Sequence, residues 1–219
     1  MNEVRNLVKN GFQEIVLTGI HVASYGKDLG NIDLLRIIEM VHTIDGLKRI
    51  RLSSVEPSII TEEFVSRVKS LPKICPHFHL SLQSGCDETL KRMNRKYDTK
   101  KYKQAVTLLK ENIKDLALTT DIIVGFPGES EEEFEQSYEF VKEIGFSQTH
   151  VFKYSPRKGT PAAKRKDQIH PTVKEERSHK MISLGDKMKN DFLEKQIGRT
   201  LEVLFENPVE NEKDQYEGF

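Results

Sequence analysis

The sequence contains few cysteines and no long apolar segment, and each of these absences excludes a class of protein. Its 219 residues include two cysteines, Cys75 and Cys86, with ten residues between them. Two cysteines cannot form a disulfide framework, and this spacing matches no compact metal-binding motif. No apolar segment approaches the roughly 18 residues of a membrane-spanning helix, and the N-terminus lacks the apolar stretch of a signal peptide. The sequence therefore predicts a cytoplasmic protein with reduced thiols and no membrane contact.

The sequence also has no excess of positive or negative charge, because 34 basic and 34 acidic side chains give a formal net charge of zero. The charges nevertheless form blocks: residues 91–103 hold seven bases and one acid, and residues 129–143 hold seven acids and one base. Such blocks are most often solvated helix faces, although the basic block is also suited to phosphates. The sequence has no P-loop, no GxGxxG and no HExxH motif, so a nucleotide kinase or a hydrolase has no support.

Short apolar segments alternate with segments of helical periodicity. Strands are predicted at residues 14–20, 49–55, 77–82, 117–125 and 149–154, and helices between them at residues 31–43, 61–70, 99–112 and 130–144. Ser130 and Glu133 form a capping box at the start of the last of these helices. Successive strands begin about 30 to 40 residues apart, which is the spacing of repeated βα units. The pattern predicts the α/β class, with a mostly parallel sheet and right-handed crossovers.

The first segment predicts a helix that has no strand before it. Val4, Leu7 and Val8 share one helical face, and Gly11 is a suitable helix stop. The strand that follows would be an uncovered apolar edge, which natural domains usually avoid. We therefore expect at least one βα unit to precede this sequence, and an alternative is that the edge pairs with its copy in a second chain.

A basic, proline-containing loop and a long helix follow the fifth predicted strand. Thr172 and Glu175 form the predicted capping box of this helix, and Gly198 is its predicted end. Residues 200–205 predict one strand, and the acidic remainder is predicted to be disordered. The predicted organisation is a partial (βα) barrel at residues 1–163, a linker and long helix at residues 164–199, and the start of a further β-domain at residues 200–219.

The segment LTTDIIVGFPGE, residues 118–129, is the most informative part of the sequence. It predicts an apolar strand that ends in a glycine-containing loop and leads into a helix, and ligands bind at such places in parallel α/β sheets. Polar or small residues also follow the other predicted strands. One edge of the sheet should therefore collect Thr18, Gly19, His21, Ser53, Ser54, Glu56, Gln83, Ser84, Gly125, Phe126 and Tyr154. Hydroxyls, an amide and glycines at this edge suit a polar, nucleoside-like ligand.

Several of these residues also have ordinary structural explanations. Ser53 and Ser54 could cap a loop, and Gln83 could bond to backbone. His79 is better explained as a strand histidine with satisfied hydrogen bonds than as a ligand. Asp121 lies within an apolar strand, so its carboxylate must be paired or functional if it is buried. These patterns assign no catalytic residue.

Five segments together resemble one enzyme family. They are LTGIHVASYG at residues 17–26, RLSSVEP at residues 51–57, HLSLQSGCDETLKRMNRKY at residues 79–97, TDIIVGFPGESEEEF at residues 120–134 and FKYSPRKGTPAA at residues 152–163. In these segments the sequence is similar to the radical S-adenosylmethionine methylthiotransferases. The first two segments favour the branch that acts on tRNA N6-threonylcarbamoyladenosine beside the anticodon, over the isopentenyladenosine and ribosomal-protein branches.

The resemblance implies a fold, a cofactor and a partner. The fold is an incomplete, open TIM-like (βα) barrel whose second to sixth strands are the five predicted ones. In the family, a domain with a second iron–sulfur cluster precedes the barrel, and a small β-barrel that grips tRNA follows it. By the resemblance, S-adenosylmethionine would lie across the strand ends. Its amino group would lie near Thr18 and Gly19, its carboxylate near Arg95, and its ribose near Gln83 and Ser84. Its adenine would lie near Gly125, Phe126 and Tyr154, and the residues beneath the cofactor would be Ser53, Ser54 and Glu56. Asp121 is included among these cofactor-binding candidates.

The sequence departs from the family in one respect. The family's CxxxCxxC loop, which holds a [4Fe–4S] cluster for S-adenosylmethionine, is absent, and Cys75 and Cys86 lie neither in that loop nor at that spacing. Iron–sulfur clusters need several convergent thiolates. We therefore expect this chain alone to be inactive, as the core fragment of such an enzyme. The alternatives are a non-catalytic scaffold or RNA-binding remnant, and another radical S-adenosylmethionine methylthiotransferase.

Overall fold

The structure is a computed structural model that describes residues 1–19, 22–26, 28, 30, 32–210 and 214–218. The helices are α1 (Asn2–Lys9), α2 (Leu34–His42), α3 (Glu62–Lys69), α4 (Asp87–Arg92), α5 (Thr99–Asn112), α6 (Glu131–Ile144) and α7 (Pro171–Glu194). The strands are β1 (Glu14–Leu17), β2 (Arg49–Leu52), β3 (His77–His79), β4 (Ala117–Val124), β5 (Gln148–Lys153), β6 (Phe205–Pro208) and β7 (Tyr216–Gly218). None of the helices in this part of the chain has the length and apolarity that crossing a bilayer requires.

The first five strands are parallel and follow one another in chain order. β1 pairs with β2, and β3, β4 and β5 form a three-stranded sheet with β4 at its centre. Between β2 and β3 the ladder is interrupted. There the Val55 N–H donates to His79 O at 2.9 Å, and the Ser81 N–H donates to Val55 O at 3.2 Å. The predicted α/β class with a mostly parallel sheet is confirmed, and the sheet consists of two joined parts.

Two apolar clusters hold the helices against the sheet. The larger one contains Phe78 and Leu80 of the β3 segment, Tyr102 of α5, and Met181 and Leu184 of α7 among others. A smaller one lies beneath α1 and α2 and comprises Val4, Val41, Ile44, Leu47 and Ile50. Burying a side chain of this size contributes about 1.5–3 kcal/mol. Helix α7 therefore shares a core with the strands, and the division of the chain at residue 163 stays a prediction.

Helix α6 begins at the predicted capping box. Ser130 Oγ accepts from the Glu133 N–H at 3.2 Å, and the Glu133 carboxylate accepts from the Ser130 N–H at 3.0 Å. Thr61 caps α3 in a similar way, by accepting from the Phe64 N–H at 3.1 Å. A side-chain cap contributes about 1 kcal/mol, so these residues define where the two helices start.

The start and end of α7 differ from the prediction. Its N-cap is His170, whose Nδ1 accepts from the Thr172 N–H at 3.3 Å, and the predicted capping box of Thr172 and Glu175 is wrong. Pro171 explains this start, because proline lacks an N–H and has a helical φ, which suits the first position of a helix. The helix ends at Glu194, one turn before Gly198.

The last two strands also correct the prediction. The predicted strand at residues 200–205 is wrong except for its final residue, because β6 starts at Phe205. Strand β6 pairs antiparallel with β7, so part of the acidic tail forms a hairpin instead of being disordered. Leu201 and Val203 are exposed, so their alternation marks no buried strand face. Helix α4 was not predicted, since its six residues are too few to show a helical period.

Candidate functional site

The carboxyl ends of β1 to β5 lie along one edge of the sheet, which we call the rim; it comprises Thr18, Gly19, Ser53, Ser54, Glu56, Gln83, Gly125, Phe126 and Tyr154. Backbone hydrogen bonds join neighbouring strand ends, such as that from the Ser53 N–H to Leu17 O at 2.9 Å and that from the Tyr154 N–H to Val124 O at 2.9 Å. Parallel strands present their ends on the same side, and α/β proteins bind ligands there.

An open cleft of about 490 Å³ lies beside the ends of β3, β4 and β5. Its lining includes Gln83, Asp121 and Tyr154, three of the residues predicted for the site, together with Phe152 and Arg157. Asp121 and Phe152 lie on β4 and β5, whereas Gln83 follows β3 and Tyr154 and Arg157 follow β5. The parallel pairing of the three strands brings these residues together. The cleft is therefore the place where the predicted residues of the β3–β5 part can contact one ligand.

Gln83 has an unusual backbone conformation at this cleft. Its φ is +68°, in the left-handed region that residues with a side chain seldom adopt, and it is 8% exposed. Its N–H donates to Asp121 O at 2.8 Å, and its carbonyl accepts from the Ile123 N–H at 2.8 Å. Such strain costs about 1–3 kcal/mol and is concentrated at functional sites. The main chain of Gln83 is therefore held by β4 on both sides, and Gln83 is one of the residues that line the cleft.

A buried ion pair holds the loop that follows β4. The Gly125 N–H donates to Glu129 Oε2 at 2.7 Å, and Arg177 Nη1 donates to the same oxygen at 2.8 Å and to Glu129 O at 3.0 Å. Glu129 and Arg177 are 3% and 6% exposed. Burial raises the pKa of the Glu129 carboxyl, and the Gly125 N–H and the Arg177 guanidinium oppose that shift. The loop conformation is thus tied to α7, which carries Arg177.

The first turns of α7 also contact the end of β5. Lys174 Nζ donates to Tyr154 O at 3.0 Å and lies 5.1 Å from the centroid of the Tyr154 ring. Gly125 has a φ of +70°, and a Cβ there would overlap the Lys174 side chain. The rings of Phe126 and Tyr154 meet edge to face with their centroids 5.1 Å apart. The structure therefore brings Gly125, Phe126 and Tyr154 together on one side of the rim.

Arg95 and Glu56 lie near the interruption between β2 and β3. Burial raises the pKa of Tyr97 to about 12, while the positive charge of Arg95 lowers that pKa and the negative charge of Glu56 raises it, so both charges are close to this phenol. Tyr97 Oη donates to Ser81 O at 2.9 Å. Arg95 Nε is buried and has no hydrogen-bond partner among the described residues. A guanidinium N–H in this situation can donate to a ligand carboxylate.

The remaining predicted residues differ in their exposure. Thr18, Gly19 and Ser54 are exposed at the ends of β1 and β2. Ser84 is fully buried behind the rim, and its Oγ accepts from the Cys86 N–H at 3.3 Å. Ser53 Oγ and Tyr154 Oη are buried and lack a hydrogen-bond partner within the described part of the chain. His21 lies outside the described residues.

Below the rim, polar side chains lie on the inner face of the sheet, the face opposite to α7. His79 Nδ1 and His77 Nε2 lie 3.0 Å and 3.1 Å from the same atom, Thr119 Oγ1. His79 Nε2 lies 3.4 Å from Asp121 Oδ2. The contact with His79 lowers the pKa of Asp121, and burial acts against this shift. His79 Nδ1 is therefore within hydrogen-bond distance of Thr119, whereas Nε2 is buried beside the Asp121 carboxylate without a hydrogen bond. The expected satisfied strand histidine is met at one ring nitrogen only.

Sequence reasoning missed Thr119, Lys174 and Arg177. Arg177 had a detectable signal, because it lies four residues before Met181 and therefore on the apolar stripe of α7. An arginine on a buried stripe must find a partner. The partner, Glu129, is 48 residues away in the sequence, and no local pattern identifies it.

The described residues contain no group of three or more histidine, cysteine, aspartate or glutamate side chains that could hold a metal ion. Cys75 and Cys86 are both buried and free, and Cys86 Sγ lies 3.4 Å from Gln136 Oε1. An iron–sulfur cluster needs several convergent thiolates. The residues that the structure describes therefore do not fit a [4Fe–4S] cluster.

The chain is similar to known proteins along almost its whole length. A family model described as the Radical SAM superfamily matches residues 1–141. The threonylcarbamoyladenosine tRNA methylthiotransferase MtaB of Bacillus subtilis (strain 168) is 41% identical over 216 residues, which are 98% of this chain and 48% of that relative. The tRNA-2-methylthio-N(6)-dimethylallyladenosine synthase of Clostridium botulinum (strain Okra / Type B1) is 39% identical over 218 residues, which are 99% of this chain and 48% of that relative.

Solved structures share the fold. Coproporphyrinogen III oxidase (HemN) from Escherichia coli, described as a Radical SAM enzyme, matches with a TM-score of 0.63 at 15% identity, over 85% of this chain and 45% of that chain. This likeness concerns the fold alone, and it agrees with an incomplete, open TIM-like barrel. The chain spans about half the length of the curated relatives it matches.

Proposed function

This chain belongs to the radical SAM superfamily, and we propose that it is the S-adenosylmethionine-binding core of a tRNA methylthiotransferase. One observation carries the proposal: residues from separate strands, Gln83, Asp121 and Tyr154, meet at one cleft at the strand ends. The 41% and 39% identity to two enzymes named as tRNA-modifying supports the same assignment. A non-catalytic scaffold would need no such convergence of polar groups at the rim.

Several rim atoms suit S-adenosylmethionine, which supplies the radical in this superfamily when it is bound to a reduced cluster. Gly125 and Phe126 offer backbone and a ring face to the adenine. Ser53 Oγ, Tyr154 Oη and Arg95 Nε are buried without hydrogen-bond partners among the described residues, and a polar ligand would satisfy them. The other predicted residues, Thr18, Gly19, Ser54, Glu56 and Gln83, keep the roles that the resemblance implies. Ser84 is fully buried and its hydroxyl accepts from the Cys86 N–H, so we propose no direct contact between Ser84 and the cofactor.

The chain alone should not catalyse methylthiolation. Its two cysteines, Cys75 and Cys86, cannot supply the thiolates of a [4Fe–4S] cluster. The test is anaerobic reconstitution with iron and sulfide, followed by absorbance and iron analysis. We expect no stoichiometric iron, and a stable complement of about four irons per chain would refute this part of the proposal, because that is the iron content of such a cluster.

The proposed substrate is N6-threonylcarbamoyladenosine beside the anticodon of tRNA, and a tRNA substrate would place the protein in the cytoplasm. The similarity to MtaB supports this branch. A second candidate is the dimethylallyladenosine-type substrate, because a relative named for that reaction is 39% identical. In both cases we expect basic residues near the cleft, such as Arg157, to contact RNA phosphates.

Nucleoside analysis of tRNA from a strain that lacks the gene separates these possibilities. We expect loss of the 2-methylthio group from threonylcarbamoyladenosine, with the unmodified nucleoside accumulating. Loss from the dimethylallyl nucleoside instead would favour the second candidate. An unchanged nucleoside profile would contradict both and support a non-catalytic scaffold or RNA-binding protein.

A further inference from the structure

The inner face of the sheet carries a set of polar side chains of which only Asp121 belongs to the proposed cofactor cleft. Alternate residues of a strand share a face. The side chains that β3, β4 and β5 thereby turn to the inner face include His77, His79, Thr119, Asp121, His150 and Phe152. The register places His150 beside Asp121 and Phe152 beside Ile123. The rings of His79 and His150 are stacked with their centroids 6.1 Å apart.

The hydrogen-bonding capacity of each group indicates which atoms of these side chains carry a proton. An ionised Asp121 can only accept, so its contact with His79 Nε2 at 3.4 Å favours the tautomer with the proton on Nε2, although the two atoms do not form a hydrogen bond in this structure. In a neutral imidazole His79 Nδ1 then accepts, and Thr119 Oγ1 at 3.0 Å is its donor. With its own hydrogen used, Thr119 Oγ1 accepts from His77 Nε2 at 3.1 Å. In this tautomer Thr119 Oγ1 donates to His79 and accepts from His77, and His79 contacts Asp121 through its charge.

Asp121 ends this set of contacts at the cleft. Its side chain is 32% exposed and lines the cleft together with Ile123 and Phe152. A carboxylate offers two oxygens and several acceptor directions, so a ligand can bond to Asp121 while His79 holds it. Phe152 is 53% exposed at the same wall, which leaves its ring available for contact with a flat ligand.

We propose that Asp121 is a specificity-determining acceptor for a planar heterocycle that bears an N–H donor, with Phe152 as its apolar wall. Thr119 and His77 are positioning residues, because they act on Asp121 only through His79. The inference rests on the proposed function in one respect: it identifies the heterocycle with the adenine ring of the target nucleoside. This ring would bind to the inner face, below the rim where the cofactor's own adenine is placed.

The test uses the 219-residue chain labelled uniformly with ¹⁵N, so that histidine rings and backbone amides both report. It is titrated with adenosine and with purine riboside, which lacks the exocyclic amino group. We expect the signals of His79 and His150 to shift, while those of exposed His179 stay in place. Adenosine should bind about tenfold more tightly than purine riboside, because a hydrogen bond to a charged acceptor is among the stronger ones. The Asp121→Asn variant should reduce this preference to about twofold or less.

Two further variants control the result. Asp186→Asn removes a carboxylate from the exposed side of α7 and should leave the preference unchanged. Thr119→Val removes the donor to His79 Nδ1, so the His79 ring signals should move towards a mixture of tautomers and the preference should fall in part. Thr119→Ser keeps the hydroxyl and should restore both readouts, which a purely structural role of Thr119 would not require.

Three outcomes overturn the proposal: no binding of adenosine up to its solubility, equal affinities for the two nucleosides, or shifts confined to the backbone amides of Gly125 and Phe126. The last outcome would place the adenine at the rim instead of on the inner face. None of these changes the tRNA nucleoside analysis described above. The inference and the proposed function can therefore fail separately.

Discussion

The two sides of the rim are built in different ways. On the β4–β5 side, buried contacts from α7 fix Gly125 and Tyr154 through Glu129, Arg177 and Lys174. On the β1–β2 side, Thr18, Gly19 and Ser54 are exposed. The β4–β5 side is therefore organised before any ligand binds, whereas the three exposed residues of the β1–β2 side have fewer contacts that fix their positions.

The amino-terminal ends of β1 and β2 show that the exposure of these two strands is confined to the rim. There Glu14 forms ion pairs with two arginines: its Oε2 lies 2.8 Å from Arg49 Nε and its Oε1 lies 2.6 Å from Arg51 Nε, and its side chain is almost fully buried. The two strands are thus joined firmly at one end and exposed at the other. Preorganised contacts lower the cost of ordering a site on binding, so we expect the adenine side of the rim to contribute more binding energy in this chain than the amino-group side.

Removing the buried arginine should have the largest effect. Arg177→Met leaves the Glu129 carboxylate buried without its charge partner, and breaking such a pair costs about 3–5 kcal/mol in the free energy of unfolding. Urea denaturation measures this loss. The control is Arg36→Met in α2, whose exposed ion pair with Glu39 at 3.6 Å should contribute less than about 1 kcal/mol. Equal effects of the two substitutions would remove the distinction between the two sides.

The next largest effect concerns Tyr97 and appears at high pH. Burial raises its pKa to about 12 in the folded protein, against about 10 in the unfolded chain. The unfolded state therefore loses this proton first, and stability should fall by about 2–3 kcal/mol as the pH rises from about 10 to about 12. Tyr97→Phe should lack this loss, although at neutral pH it is less stable by about 1 kcal/mol because its hydrogen bonds to Ser81 O and Leu82 O are gone.

Tyr25→Phe is the matched control for this titration, since Tyr25 is 43% exposed on the β1–β2 side. Chemical denaturation at a series of pH values gives the comparison. If Tyr25→Phe and Tyr97→Phe showed the same pH dependence as the unsubstituted chain, the burial of Tyr97 would not govern alkaline stability.

Two glycine substitutions give the smallest expected effect and compare the two sides directly. Gly125→Ala places a side chain at a φ of +70° and against Lys174, which should cost about 1–2 kcal/mol. At Gly19 the nearest atom to a new Cβ is Val22 Cγ2 at 3.5 Å, an ordinary contact. Gly19→Ala should therefore change the free energy of unfolding by less than about 0.5 kcal/mol. A larger loss at Gly19 than at Gly125 would reverse the comparison.

Much of the fold could be read from local sequence signals. The apolar segments place β1 to β5, and the Ser130–Glu133 capping box places the start of α6. These signals are local because strands alternate or bury short apolar runs, and caps act within one helical turn. The start of α7 shows where local signals conflict. The pattern of Thr172 and Glu175 predicted a capping box, but the helix starts at Pro171, because proline is favoured at the first helical position.

The candidate site was less accessible from sequence. That Gln83, Asp121 and Tyr154 would approach one edge follows from parallel topology, but their meeting in one cleft depends on the registers of β3, β4 and β5. The interruption of the ladder at Val55 shifts the register between the two parts of the sheet. No residue pattern in the sequence predicts this shift. The bond from Arg177 to Glu129 joins segments 48 residues apart, so it depends on tertiary packing.

The most direct test of the central claim is a titration of the ¹⁵N-labelled chain with S-adenosylhomocysteine, followed by backbone amide shifts. The account predicts weak but saturable binding, with the shifts concentrated at Gln83, Gly125, Phe126 and Tyr154 and smaller ones at Thr18 and Gly19. Shifts that avoid the rim, or their absence at the highest soluble concentration, would contradict the claim that these strand ends form the nucleoside site.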